Sequence, residues 1–271
     1  MKFDMGAAWN EAMAMISSNK DVLGIVAGVF FFLPSLMLSV MAPGTELEAA
    51  AADPEQMQAA FMAYFTSNAW LFAIVAIAGW IGSLAVYALL GRQERVTVGE
   101  AITIGLKATL PYLLYVIGFA LAVVLFSTAI GFVAGVTGSG IIGFILGLLA
   151  LVVFVVVGIR LVLVGPIMAV DGVLNPLAAV QRSWSLIKGN TRRVFVFVIL
   201  LVLAILVVAT VLGLIFGLIG AMLGPAAGLW VEGILGGIMG AVFSVTFLAV
   251  YSATHRQLSG GAAPSDVETF E

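Results

Sequence analysis

The sequence contains no cysteine and a single histidine, His255, and only 9% of its 271 residues are charged. Without cysteine there are no disulfides, zinc–thiolate sites, iron–sulfur clusters or cysteine nucleophiles. One histidine cannot build a histidine metal cage. With 11 Lys and Arg against 14 Asp and Glu, the chain lacks the basic excess of a nucleic-acid binder. No glycine-rich loop followed by Lys-Ser or Lys-Thr offers a cradle for nucleotide phosphates. The acids stand singly or gather in one stretch, so no pair presents itself for general acid and base work. Catalytic, cofactor-binding and metal-binding residues are accordingly expected to be none, and the chain is read as non-enzymatic.

What the chain does contain is apolar mass: 63% of its residues are hydrophobic, 31 are glycine, and the mean hydropathy is +1.22. Soluble domains are about 45–50% apolar and about 25% charged, so this chain has too little polar surface to face water all round. Its main solvent is lipid, and the expected class is all-α, a polytopic helical membrane protein. A spanning helix needs about 20 apolar residues to cross roughly 30 Å of hydrocarbon. Six segments qualify, approximately 22–41, 68–90, 110–135, 140–164, 194–222 and 228–254. Ala42-Pro43-Gly44, Gly138-Ser139-Gly140 and Gly224-Pro225 separate them as turns. The first segment is read as a span rather than a cleaved leader, because Asp4, Glu11 and Asp21 precede it and it is long enough for a bilayer.

An even number of spans puts both termini on one side. With that side cytoplasmic, Lys2, Lys20, Arg92, Arg95, Lys107, Arg160, Arg182, Lys188, Arg192, Arg193 and Arg256 all fall inside or at its interface, which is every basic residue and what the positive-inside rule asks. The expected address is a bacterial inner membrane. The first outer loop, 42–67, holds Glu46, Glu48, Asp53 and Glu55 instead. Its Asp53-Pro54-Glu55-Gln56 start predicts a short surface helix.

An amphipathic segment precedes each odd-numbered span. Met5, Trp9, Ala12, Met13 and Ile16 recur at helical spacing in the first. Thr97-Val98-Gly99-Glu100 reads as a capping box opening the second, with Val98, Ala101, Ile102, Gly105 and Leu106 on one face. In the third, Asn175 is an N-cap, Pro176 stands at N1 and Gly189 at C′, and Leu177, Val180, Trp184 and Ile187 form the apolar stripe. The organisation is then a single domain over 1–258 made of three parallel repeats of interfacial helix plus transmembrane hairpin, about 1–92, 93–168 and 169–258, with a disordered acidic tail over 259–271.

The densest polar cluster lies between the fourth and fifth spans: Arg160, Asp171, Asn175, Arg182, Ser183, Lys188, Arg192 and Arg193. Arg160, at the end of a span, is expected to snorkel or to pair with Asp171. Clustered cytoplasmic basic residues attract anionic lipid, so Arg160, Asp171, Arg182, Lys188, Arg192 and Arg193 are the candidate residues for binding membrane lipid or a membrane-protein partner, a second copy of the chain included; the same cluster also suits a topology signal with one structural ion pair. Glu232, just inside the sixth span, is a candidate proton or cation site or an acid reaching water beside its turn. His255 with Arg256 suits the end of a helix dipole. Gly131/Gly135, Gly143/Gly147, Gly213/Gly217 and Gly236/Gly240 have the small-xxx-small spacing of close helix approach, and Pro34 predicts a kink.

Arg160-Leu161-Val162-Leu163-Val164-Gly165-Pro166, then Asp171-Gly172, then Asn175 to Gly189 with its Gln181-Arg182-Ser183-Trp184-Ser185-Leu186-Ile187-Lys188-Gly189, resembles the glycerophosphoryl diester phosphodiesterase membrane domain and the related YciC-like inner-membrane proteins. Asp171 stands where that pattern usually has Glu, and Arg192-Arg193 replaces its Trp-Arg. The family takes its name from fusion to a soluble phosphodiesterase for which this chain has no length left. The resemblance implies a six-span fold and a membrane address without an activity. Two functions lead on the sequence, an organising or accessory membrane protein binding lipid or a partner at its basic face and a transporter or channel for a small or lipidic solute, with an enzyme acting on lipid at the cytoplasmic face as a remote third.

Overall fold

In the computed structural model, residues 2–44, 47, 50, 53–92 and 96–260 are described, and among them the ordered elements are helices without strands. The chain is an all-α polytopic membrane protein. Six helical segments are long and apolar enough to cross a membrane: Lys20–Met41, Ala69–Gly91, Val98–Thr137, Gly140–Val170, Thr191–Leu223 and Ala226–Ser259. Glu46, Glu48, Arg95 and the expected tail beyond Gly260 lie outside the described residues.

We number the elements α1 (Met5–Ser18), α2 (Lys20–Ala27), a π turn (Gly28–Phe32), α3 (Leu33–Met41), α4 (Pro54–Ser67), α5 (Ala69–Gly91), α6 (Val98–Thr137), α7 (Gly140–Leu161), α8 (Val164–Val170), α9 (Pro176–Ile187), α10 (Thr191–Leu223) and α11 (Pro225–Ser259). Along the six spans the described Lys and Arg residues all come at the end that carries the termini, the basic end; α4 and the α6–α7 and α10–α11 turns mark the opposite, acidic end.

The predicted caps form: Asp53 accepts from Glu55 and Gln56 N–H, and Asn175 from Leu177 and Ala178 N–H. Asp4 adds a cap that was not expected, accepting from Ala7 N–H. Thr97 and Glu100 make both arms of the capping box. Gly189 follows α9 at φ +89°, a left-handed conformation that costs glycine least. The second interfacial helix, however, is not separate from its span. Val98–Thr137 is one helix of 40 residues, about 60 Å long, which continues through Pro111, whereas α1 and α9 are broken from their spans at Asn19 and at Lys188–Asn190. Pro34 leads to a π turn: it has no N–H for the Phe30 carbonyl, and the Leu33 N–H instead reaches the Gly28 carbonyl. At the other end of the chain, Ser259 closes α11, so the helix runs one residue into the segment expected to be tail.

The core gathers at the basic half. Leu23, Val26, Leu84, Val86, Ile187, Val194, Ala249, Val250 and Ala253 are buried there, and so is every residue from Leu163 to Ala169, so α8 is a short plug inside the bundle. Tyr87 covers Gly165, where a methyl group would come within 2.7 Å of its ring, and Arg92 donates from Nε and Nη2 to the Ala169 carbonyl at 3.2 and 3.1 Å, closing the far end of the plug. Toward the acidic end Leu125, Phe132, Ile141, Leu214 and Met222 project outward, as lipid-facing side chains do.

The buried faces of the interfacial helices share Ala12, Ala101, Gly105 and Ile187 with the apolar stripes but are shifted toward smaller residues. In α1 they are Ala8, Ala12 and Met15, with Trp9 40% exposed; in α6 Ala101, Gly105 and Ala108; in α9 Ala179, Ser183 and Ile187, with Leu177 73% exposed. Lipid is as apolar as leucine, so close packing, which favours small residues, chooses the inner face.

Candidate functional site

The cluster at the basic end is organised by Asp171. After α8 the chain turns at Gly172, φ +70°, with the Asp171 and Val173 N–H groups both directed to the Ile167 carbonyl. The turn aims the Asp171 carboxylate at two partners: Arg182 Nη2 on α9 donates to Oδ2 at 2.9 Å, and His255 Nε2 on α11 lies 3.1 Å from the same oxygen. A carboxylate only accepts, so His255 Nε2 carries the hydrogen. His255 is 2% exposed, with Nδ1 buried and unpartnered. It is therefore an interior clasp between α8 and α11, not the solvated end-cap that its position near Arg256 suggests.

Arg160 does not pair with Asp171. Its guanidinium stacks on the Trp184 ring, 4.4 Å from the centroid, while its carbonyl accepts from buried Ser183 at 2.7 Å. The α8 plug lies between the end of α7 and Asp171, and the Ser183 bond seats α9 so that Trp184 meets the arginine. No ion pair or hydrogen bond joins the Arg160 guanidinium to a described residue, and its Nε is buried without an acceptor. Trp184 thus faces a cation where an apolar neighbour was expected.

The remaining basic candidates divide. Arg193 donates to the Phe3 carbonyl at 3.2 Å, while Asn190 Oδ1 accepts from Phe3 N–H at 2.9 Å. Asp4 and Gln257 exchange two further bonds, so Arg193 fastens the N-terminal segment. Lys188 and Arg192 are exposed. Arg192 and Thr191 close the basic end of an apolar groove of about 520 Å³ between α7 and α10, whose walls include Leu151, Val155, Ile159 and Phe195. Glu11, on the face of α1 turned toward α11, pairs with Arg256 at 3.2 Å; burial raises its carboxyl above the ordinary value and the arginine charge pulls it partly back.

Glu232 lies two turns into α11 in a second place, a cavity at the acidic end described below. Among the described residues no group of three or more His, Cys, Asp or Glu is placed to hold a metal ion. Sequence reasoning missed the His255–Asp171 contact, which joins residues 84 apart, and the Phe3 clasp. No local spacing signals either. No protein-family model, curated protein or solved structure matches the chain.

Proposed function

We propose that this multi-pass membrane protein is a non-enzymatic, organising or accessory component of a bacterial inner membrane that holds anionic phospholipid at its cytoplasmic, basic face. The observation that carries the reading is the Arg160 guanidinium: it sits at the end of a span, is stacked on Trp184, and has no carboxylate partner among the described residues. A cation at the edge of hydrocarbon needs a counter-charge, and a lipid phosphate is the one that the leaflet supplies. The groove between α7 and α10 fits an acyl chain, with Arg192 at its head. Arg182 takes part more weakly because Asp171 already holds one of its nitrogens, Lys188 adds only screened surface charge, and Arg193 is engaged by Phe3. The resemblance of the 160–189 segment to the phosphodiesterase membrane domain family agrees with a membrane role without chemistry of its own.

The test is lipid retention by the purified protein. Arg160→Gln and Arg192→Gln should each weaken retention of phosphatidylglycerol over phosphatidylcholine by about 1 kcal/mol, more at low salt, with unchanged thermal stability in Arg192→Gln and a loss of about 0.5–1 kcal/mol in Arg160→Gln from the Trp184 stack. Arg193→Gln should lower stability and leave the selectivity alone. Wild-type selectivity in the Arg160→Gln, Arg192→Gln double variant would reduce these arginines to topology signals. Sidedness is separately measurable: reporters fused after His255 and within 49–52 should report opposite sides of the membrane, the first of them cytoplasmic. Identical sidedness would break the six-span topology.

A further inference from the structure

At the acidic end, α3, α4 and the α10–α11 turn line an open cavity of about 610 Å³. Ser35 and Ser39 enter it from α3, Tyr64 from α4, Gly220 from α10, and Gly228 and Glu232 from α11. Two glycines make the place for the carboxylate. A methyl group on Gly220 would lie 2.7 Å from Glu232 Oε1, and one on Gly228 would lie 2.8 Å from the Gly220 carbonyl oxygen. Both helices therefore give up side chains where they cross, and the Glu232 carboxylate lies in the gap.

Glu232 receives no hydrogen bond or ion pair from any described residue. Nor is a cation at hand within the fold, since the described Lys and Arg residues are all at the other end of the spans. Glu232 is exposed to the cleft, so a counter-charge can reach it from outside, and Asp53 and Glu55 at the start of α4, on the same side, favour its approach. We propose that this cavity binds a primary ammonium group, with Glu232 as its counter-ion.

The lining chooses that class over other cations. A bare divalent metal needs several oxygen ligands at short range, whereas among the described residues the cavity offers one carboxylate and is too roomy. A quaternary ammonium is held by a cage of aromatic faces; here the one aromatic residue is Tyr64, and its hydroxyl is already committed to the Ala42 carbonyl at 2.7 Å. A primary ammonium has three N–H donors, and Glu232 with the Ser35 and Ser39 hydroxyls can accept them. The group can belong to an ethanolamine phospholipid of the adjoining leaflet or to a soluble alkylamine.

Native mass spectrometry of the full chain, exchanged into mixed phosphatidylethanolamine and phosphatidylcholine, measures the first source, and competition by free ethanolamine measures the second. The wild-type chain should prefer the ethanolamine lipid by about tenfold, as one charge-assisted hydrogen-bond set implies, and Glu232→Gln should abolish the preference at unchanged melting temperature. Protection by free ethanolamine without lipid preference would assign the site to soluble amines. No preference in the wild-type chain together with no effect of free ethanolamine overturns the proposal, and this comparison needs no variant. If Glu232→Gln does not fold, Ser39→Ala takes its place, with a partial loss expected.

Discussion

Replacing Asp171 by Ala should cost about 1–3 kcal/mol of stability, and most of that loss should vanish in a background where His255 is already Ala. The reason is the inequality of the two partners. Arg182 is 46% exposed, so water takes over its donors when the carboxylate goes, and its share is that of a surface ion pair, about 0–1 kcal/mol. The His255 side chain is 3% exposed; losing Asp171 leaves its Nε2 hydrogen buried without an acceptor beside an Nδ1 that already has no partner. Thermal unfolding of the single and double variants in detergent measures the coupling. Asp171 with Arg160 should be additive, because Arg160 is engaged by Trp184. Strong coupling to Arg160 and none to His255 would mean that the carboxylate points the other way.

The second large effect is a change of sign among glycines. Gly105→Ala should destabilise by about 1–3 kcal/mol, the range of an overfilled core, because its methyl group would stand 2.6 Å from the Ile81 carbonyl oxygen and 3.3 Å from the Ala85 nitrogen. Both are backbone atoms of α5, which can yield only by moving the helix. Gly131→Ala and Gly213→Ala should be neutral or slightly stabilising, since nothing lies within 4 Å of a methyl group at either position and alanine is the better helix former. Melting temperatures of the three variants decide it. A loss at Gly131 equal to that at Gly105 would reveal a second chain packed on α6.

These two cases mark what could be read in advance. Caps were legible at Asp53, Thr97 and Asn175 because the chemistry is local: an acceptor and the N–H groups two or three residues on. Span number and rough limits were legible because lipid demands length and apolarity. The inner faces of α1 and α9 were legible only at Ala12 and Ile187, since a stripe of large apolar residues marks the core only when the alternative is water. Ala8 and Ala12, or Ala179 and Ser183, carry the packing here, and Trp9 and Leu177 point outward. Glycine spacing divides within this chain: Gly143 meets Ala134 at 3.4 Å and Gly131 and Gly135 open onto empty space, whereas Gly105 and Gly165, outside the spaced pairs, lie under a neighbour. The partner of Asp171 required knowing that α8 folds inward, which no periodicity in seven residues announces. Arg160 was placed correctly at its span end and given the wrong neighbour for that reason.

The clasp on Phe3 and Asp4 bears on how the molecule is made. Its bonds join residues 187, 190 and 253 positions apart, so the segment that leaves the ribosome early is held by α10 and α11, which leave it late. The larger part of the surface on which α1 docks belongs to α11 and exists only once the last span is in the membrane. Until then Glu11 lacks Arg256 and Asp4 lacks Gln257, while Phe3 can already meet Asn190, Arg193 and Phe197 at the fifth span. A chain stalled before its sixth span therefore has a half-clasped leading segment, with partners for Phe3 and none yet for Asp4 and Glu11.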